Sequence, residues 1–165
     1  MKTKASIILA VELVIVTAMA YGQSPYLPEG LRSFYDQEKI KSLFEINGTM
    51  NPFYLRGDFD GDSRTDYAIA VTERKTGKGG MIIYHPSSEK YFVIGAGVGI
   101  PSRPGDDYGW TNAWEVFCKK DVEKGIGETN TIKLKGEAIL VLKLESSSGL
   151  IYWDGKAYQW YQQGD

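Results

Sequence analysis

The strongest constraint on the fold is a series of short apolar segments separated by residues that are typical of turns. Each segment is too short for a stable helix, and clusters of Gly, Pro, Asn, Asp or Ser lie between them. The segments run over 53–57, 67–72, 81–84, 91–94, 114–118 and 138–144. The last is apolar enough to be a central strand. This pattern predicts a mainly β protein of antiparallel sheets, built as a single domain.

The N-terminal part carries the only helical pattern that we find. Residues 21–33 are rich in Pro, Gly and Ser and predict an extended lead-in. Asp36 is expected to cap a short helix that ends at Asn47-Gly48. The buried stripe of that helix would consist of Ile40, Leu43 and Phe44. We therefore expect an α+β domain over 34–165, with one short N-terminal helix.

The C-terminus predicts a β-hairpin. Asp154-Gly155 is typical of a two-residue turn between aromatic-rich strands, which would pair Trp153 with Lys156. One face would then carry Ile151, Trp153, Tyr158 and Trp160. The other would carry Leu150, Tyr152, Ala157 and Tyr161. Because both faces are apolar, at least one of them must be covered.

Residues 1–20 have the organisation of a signal peptide. Two lysines precede an apolar run over 5–16 that only Glu12 interrupts. The run leads to Ala-Met-Ala at 18–20, the small-x-small pattern that a signal peptidase accepts. We expect cleavage after Ala20, with Gly22 as the alternative end point.

The competing interpretation of this N-terminus is an uncleaved membrane anchor. A membrane-spanning helix needs about 20 apolar residues, and this run is shorter. Cleavage predicts a periplasmic or secreted protein with no stable membrane insertion. The loss of two lysines and one glutamate takes the formal charge from −2 to about −3. This mild acidity gives no reason to expect nucleic acid as a partner. The single cysteine, Cys118, cannot form an internal disulfide and is expected to be a small buried side chain.

The segment 57–71 contains the most informative motif. Asp58, Asp60, Asp62 and Asp66 lie at relative positions 1, 3, 5 and 9. Calcium takes six to eight oxygen ligands, and a loop with acids at alternate positions can wrap them around one ion. The main-chain carbonyl of Arg64, at position 7, and a water would complete the shell. The alternative is a polar hairpin turn without an ion, since Asp and Gly are ordinary turn residues.

This loop is not an EF-hand, because Ile69 replaces the glutamate at position 12, Ser63 replaces the glycine at position 6, and a strand follows. It resembles the calcium loop of FG-GAP and VCBS-type repeats, which ends in a pattern matched by Asp-Tyr-Ala-Ile at 66–69. The resemblance assigns a structural calcium ion to Asp58, Asp60, Asp62 and Asp66, with the Arg64 carbonyl. Ser63 stands where that family usually has Gly, which would weaken binding if the backbone there is left-handed. A propeller needs about four such blades and this chain has one, so a full propeller is excluded.

The C-terminal segment 152–158 is similar to a Trp-Asp-Gly-x-x-Tyr hairpin of uncharacterised bacterial exported proteins. That similarity favours a protein of the bacterial envelope and implies no activity. The single histidine, His85, precedes Pro86 in an expected turn, a poor position for a buried catalytic base. The pair Asp106-Asp107 lies near two aromatic residues in a loop expected over 95–112.

We therefore expect a non-enzymatic binding or interaction module with a structural calcium ion. Its partner would be a protein or a carbohydrate. Two alternatives remain open. One is a hydrolase of polysaccharide or cell-wall material that acts through Asp106 or Asp107. The other is an inhibitor or immunity-type protein that blocks its partner with the 95–112 loop.

Overall fold

The computed structural model describes residues 24–118 and 121–164. Two antiparallel sheets pack face to face, with two short helices against the outer side of the first sheet. An irregular segment covers the outer side of the second. The prediction of a mainly β protein with antiparallel sheets is confirmed. The expected signal peptide, 1–20, lies outside the described residues.

The elements follow one another in a simple order. After a 3-10 turn (Ser24–Tyr26) come helices α1 (Glu29–Tyr35) and α2 (Glu38–Lys41). The first sheet contains β1 (Phe44–Ile46), β2 (Tyr54–Gly57), β3 (Asp66–Glu73), β4 (Gly79–His85) and β5 (Lys90–Gly95). The second contains β6 (Ala113–Phe117), β7 (Ala138–Lys143), β8 (Ser147–Trp153) and β9 (Tyr158–Gly164). Among the described helices, none is long and apolar enough to cross a membrane.

Strand β3 organises the first sheet. It pairs with β4 along one side, while β2 and β1 share its other side. Arg56 lies opposite Tyr67 in the β2 pairing, and Glu45 lies opposite Thr72 in the β1 pairing. Strands β6, β7, β8 and β9 follow one another as neighbours in the second sheet, so β7 is an interior strand as expected.

The main core lies between the two sheets. From the first sheet it takes Ala68, Ala70, Met81 and Ile83, and from the second Ile139, Val141, Ile151 and Trp160. The intervening side chains Ile69, Val71 and Ile82 pack instead with Leu31, Phe34 and Ile40 of the helices. Side chains alternate between the faces of a strand. Asp66 and His85 therefore share the inward face with Ala68 and Ile83.

The N-terminal helix prediction is wrong in its bounds. Helix α2 lies within the expected helix, but Phe44–Ile46, which were expected to continue it, form strand β1. Helix α1 starts within the segment 21–33 that was expected to be extended, and Asp36 is its C-cap rather than the N-cap of a later helix. The physical reason is an apolar stripe formed by Leu27, Leu31 and Phe34, all of which are buried against the first sheet. Leu43, expected in the buried stripe, is 52% exposed.

The C-terminal hairpin has the expected faces but a different register. Trp153 pairs with Tyr158 rather than with Lys156. The backbone N–H groups of Lys156 and Ala157 donate to Asp154 Oδ1 at 2.7 and 2.9 Å, which closes a longer loop over 154–157. The displacement is two residues, so each side chain keeps its predicted face.

Two loops cover the edge strand β9. The Trp160 N–H donates to Ser102 Oγ, and the Gln162 N–H donates to Glu128 Oε1 at 2.9 Å. These acceptors belong to the 95–112 loop and to the segment after Asp121. Cys118, which was expected to be buried, is exposed just after β6.

Candidate functional site

The acidic loop connects β2 to β3 at one end of the sandwich. Its backbone turns through two left-handed positions, Gly61 with φ of 79° and Ser63 with φ of 66°. Glycine adopts this conformation freely, but a serine in it is strained by about 1–2 kcal/mol. A serine with a Cβ thus occupies the second of these left-handed positions, Ser63.

The loop carboxylates accept hydrogen bonds from the loop's own backbone. Asp58 accepts the N–H groups of Gly61 and Ser63, at 2.8 and 3.1 Å. The N–H of Asp62 donates to Asp60 Oδ1 at 3.0 Å. The N–H of Arg64 donates to Asp62 Oδ1 at 2.8 Å. These bonds orient the acids and wrap the chain around them.

The four predicted aspartates and His85 form two groups of three that share one residue. Asp58, Asp60 and Asp62 bring ligand oxygens within 4.8 Å of one another, and we call them the outer trio. Asp60, Asp66 and His85 do the same on the buried side, and we call them the inner trio. Asp66, the fourth predicted calcium ligand, thus lies beside His85 rather than within the outer trio.

Asp66 is fully buried at the start of β3. Its Oδ2 accepts the N–H groups of Phe59 and Asp60, at 2.9 and 3.3 Å. Its Oδ1 has no hydrogen-bond partner among the described residues. Burial, reinforced by the nearby Asp60 charge, raises the pKa of Asp66 to about 7. Among the described residues, no lysine or arginine forms an ion pair with this carboxylate.

His85 is buried, although its position before Pro86 predicted a turn. It is 2% exposed at the end of β4, and its Nδ1 lies 3.3 Å from Asp60 Oδ2. Its Nε2 lies 2.6 Å from the Tyr158 hydroxyl on β9. Burial lowers the pKa of His85 and raises that of Tyr158, so the imidazole is neutral and the phenol keeps its proton near neutral pH. The signal that could have found it was its even spacing from Met81 and Ile83.

The loop docks on the segment that precedes β7. The Asp58 N–H donates to Glu137 Oε2, and the Glu137 N–H donates to the Asp58 carbonyl. Gly136 lies so close to the Asp58 carbonyl that a Cβ there would overlap it. The acidic loop of the first sheet is thereby fixed to the second sheet.

The arrangement is suited to holding cations. The outer trio supplies exposed and half-exposed carboxylate oxygens, the hard ligands that calcium requires. Arg64 follows directly in the loop. The orphan oxygen of Asp66 marks a second place where positive charge is missing. The residues present therefore fit a metal ion, with Asp60 common to both sides.

Asp106 and Asp107 have other partners. Asp106 forms an ion pair with Lys78. Asp107 Oδ1 accepts the backbone N–H groups of Gly79 and Gly109, at 3.0 and 2.8 Å. The structure thus uses both acids to attach the 95–112 loop to β4.

Comparison with protein-family models, with curated proteins and with solved structures finds no match for this chain.

Proposed function

We propose that this protein is an exported calcium-binding β-sandwich module that acts by binding a partner rather than by catalysis. The observation that carries the proposal is the outer trio. Three carboxylates converge in an exposed loop whose own N–H groups hold them in place. Calcium is bound by Asp58, Asp60, Asp62 and the Arg64 carbonyl. The buried Asp66 holds the loop backbone by accepting hydrogen bonds from its N–H groups.

The ion has a structural role in this proposal. The loop starts at the end of β2 and is fixed to the second sheet through Asp58 and Glu137. Ligation of Asp58 therefore stabilises the loop and the contact between the sheets together. Because calcium binds the folded state, it stabilises the protein by mass action.

A binding role is favoured over hydrolysis because the acids of the 95–112 loop are engaged in structural bonds. This loop also carries one half-buried aromatic side chain, Trp110, beside Arg103. The Arg103 guanidinium lies 4.8 Å from the ring centre of Trp110 and 4.2 Å from that of Trp160. A half-buried tryptophan beside a cation suits contact with a protein or a carbohydrate, and both are partners of the kind that an envelope module meets.

Thermal melting with and without calcium tests the proposal. We expect millimolar calcium to raise the melting temperature of the wild type, and Asp62→Asn to weaken this response at least tenfold in calcium concentration. Asp36→Asn makes the same change of charge at an exposed site away from the loop and should leave the response intact. No shift in the wild type, or an equal loss in both variants, would contradict calcium binding by the outer trio.

Export is tested separately. N-terminal sequencing of the protein from a bacterial envelope fraction should begin at Tyr21. Intact Met1 in the membrane fraction would instead support the uncleaved anchor.

A further inference from the structure

The inner trio has the spacing of a metal site. His85 Nδ1 and Asp60 Oδ2 lie 3.3 Å apart, and the facing atoms of all three residues lie within 4.8 Å of one another. Two ligands of a tetrahedral ion with bonds of about 2.0–2.1 Å are separated by about 3.4 Å. The first pair therefore already has the separation that such an ion requires. Asp66 is the more distant member, with its Oδ2 4.0 Å from His85 Nε2.

A second observation points to a cation at the same place. The Asp66 side chain is fully buried, and its Oδ1 has no partner among the described residues. An unpaired buried carboxylate oxygen costs free energy, and a bound cation would supply the missing partner. His85 does not hydrogen-bond to this carboxylate, since its Nε2 lies 4.0 Å from Asp66 Oδ2, beyond hydrogen-bond distance.

The ligand set indicates which ions fit. Calcium takes oxygen ligands, whereas the inner trio includes an imidazole nitrogen, which suits zinc and its first-row neighbours. We propose that Asp60, Asp66 and His85 form a second, inner cation site that binds a divalent transition metal of the zinc class. The site is distinct from the outer trio in position and in ligand chemistry.

Tyr158 supplies the supporting contact that such a histidine needs. Metal ligation at Nδ1 requires the imidazole proton on Nε2, where the Tyr158 oxygen at 2.6 Å accepts it. Before the metal binds, the ring can carry its proton on Nδ1 and donate it to Asp60, while Tyr158 donates to Nε2. Binding thus moves the proton between the two ring nitrogens without changing the charge of the ring.

The inner site is close to, but independent of, the proposed calcium function. Asp60 belongs to both trios, whereas Asp62 belongs only to the outer one and His85 only to the inner one. Occupation of either site should therefore be separable by single substitutions. Asp62→Asn is the matched variant for the outer site, and His85→Gln for the inner site.

Nuclear magnetic resonance of the histidine ring tests the proposal directly, since the chain contains a single histidine. The mature protein, prepared without a polyhistidine tag, is labelled with 15N at that ring and saturated with calcium. We expect zinc to shift the Nδ1 signal strongly at one equivalent, and cobalt to broaden it. Ring signals that are unmoved by millimolar zinc would overturn the inner site.

Zinc affinities of the variants give the second test. His85→Gln should weaken zinc binding at least tenfold and leave the calcium-induced melting shift in place. Asp62→Asn should weaken the calcium-induced shift and leave zinc binding in place. Zinc affinity that is equal in wild type and His85→Gln would also overturn the proposal. If calcium has no effect while zinc still moves the ring signal, the calcium function fails and the inner site stands. If His85→Gln does not fold, the wild-type ring signals decide.

Discussion

Glu137 and Asp58 are joined by two hydrogen bonds. The Asp58 N–H donates to Glu137 Oε2 at 2.8 Å, and the Glu137 N–H donates to the Asp58 carbonyl at 2.7 Å. Asp58 follows β2 of the first sheet, and Glu137 precedes β7 of the second. The pair therefore joins the acidic loop to the opposite layer of the sandwich, at the residue that begins the outer trio.

Replacement of Glu137 by alanine should destabilise the protein by about 1–3 kcal/mol, because it leaves the half-buried Asp58 N–H without an acceptor. Calcium binding should weaken as well, since Asp58 loses its support. Glu137→Gln keeps an acceptor oxygen and should retain most of the stability in a urea titration. Equal losses in the two variants would show that charge, not the hydrogen bond, is what matters.

Ser63→Gly should stabilise the loop, because Ser63 has a φ of 66° and glycine adopts this conformation without strain. The gain should be at most about 1 kcal/mol, since glycine also loses more backbone entropy on folding. The calcium concentration at half-saturation should fall by a few fold. Ser63→Ala keeps the Cβ and serves as the control; the same gain in that variant would disprove the backbone explanation.

The pH dependence of the metal-free protein should report the burial of Asp66. Its folded pKa of about 7 exceeds the unfolded value of about 3.9, so the protonated form is favoured by folding. Its contribution to the free energy of unfolding is greatest below pH 4. That contribution declines as the pH rises to about 7, by about 4 kcal/mol at most. His85 has the opposite effect: because its folded pKa is lowered, its contribution to the free energy of unfolding increases as the pH rises.

Asp66→Asn separates the two groups, because it retains His85. Melting temperatures in a metal chelator should show that the variant gains on the wild type as the pH increases from 4 to 7.5. A constant difference between the two proteins over that range would mean that Asp66 is already ionised at pH 4.

Gly149→Ala and Gly30→Ala should have opposite effects on the free energy of unfolding. A Cβ on Gly149 would overlap the Trp160 ring, so the core must shift, with a loss of about 1–3 kcal/mol. A Cβ on Gly30 meets no atom within 4 Å in α1, and alanine is the better helix former, with a gain of up to about 1 kcal/mol. Chemical denaturation measures both. A neutral Gly149→Ala would show that the second sheet packs less tightly than described.

Trp153→Ala should destabilise the fold, because the ring packs against Phe92 and Tyr158, with centroid distances of 5.1 Å to each. Removal of a packed tryptophan costs about 3–5 kcal/mol when it is fully buried, and this ring is half-buried, so about 3 kcal/mol is expected. Tyr26→Ala removes an aromatic residue that is 77% exposed and is the control. An unchanged melting temperature for Trp153→Ala would instead favour an exposed carbohydrate-binding surface.

Most strands could be predicted because their apolar runs are local features of the sequence. Strand β1, expected to be helical, is the exception. Strands β3 and β4 bury side chains on both faces, so their apolar runs stand out between turn residues. The register of the final hairpin was not predicted correctly, because it depends on how the Asp154 side chain closes the turn. The faces were still correct, because a displacement of two residues preserves the alternation of side chains.

The acidic loop was also visible in the sequence, because its ligands lie close together along the chain. The contacts that complete the site are long-range. His85 meets Tyr158 across 73 residues, and Asp58 meets Glu137 across 79. Local patterns do not encode such pairs. Pro86 predicted a turn at His85. The alternation of inward-facing side chains in β4, which includes Met81 and Ile83, is what places His85 in the interior.

The covered edge of β9 limits one way in which copies of this molecule can associate. A strand that extended the second sheet would need the outward N–H groups of Trp160 and Gln162, which already donate to Ser102 and Glu128. Two separate loops would have to detach before such a strand could add. Fibril-like growth from this edge would therefore begin with local opening of the two loops. Its rate would be limited by the frequency of that opening and not by the frequency of collisions between molecules.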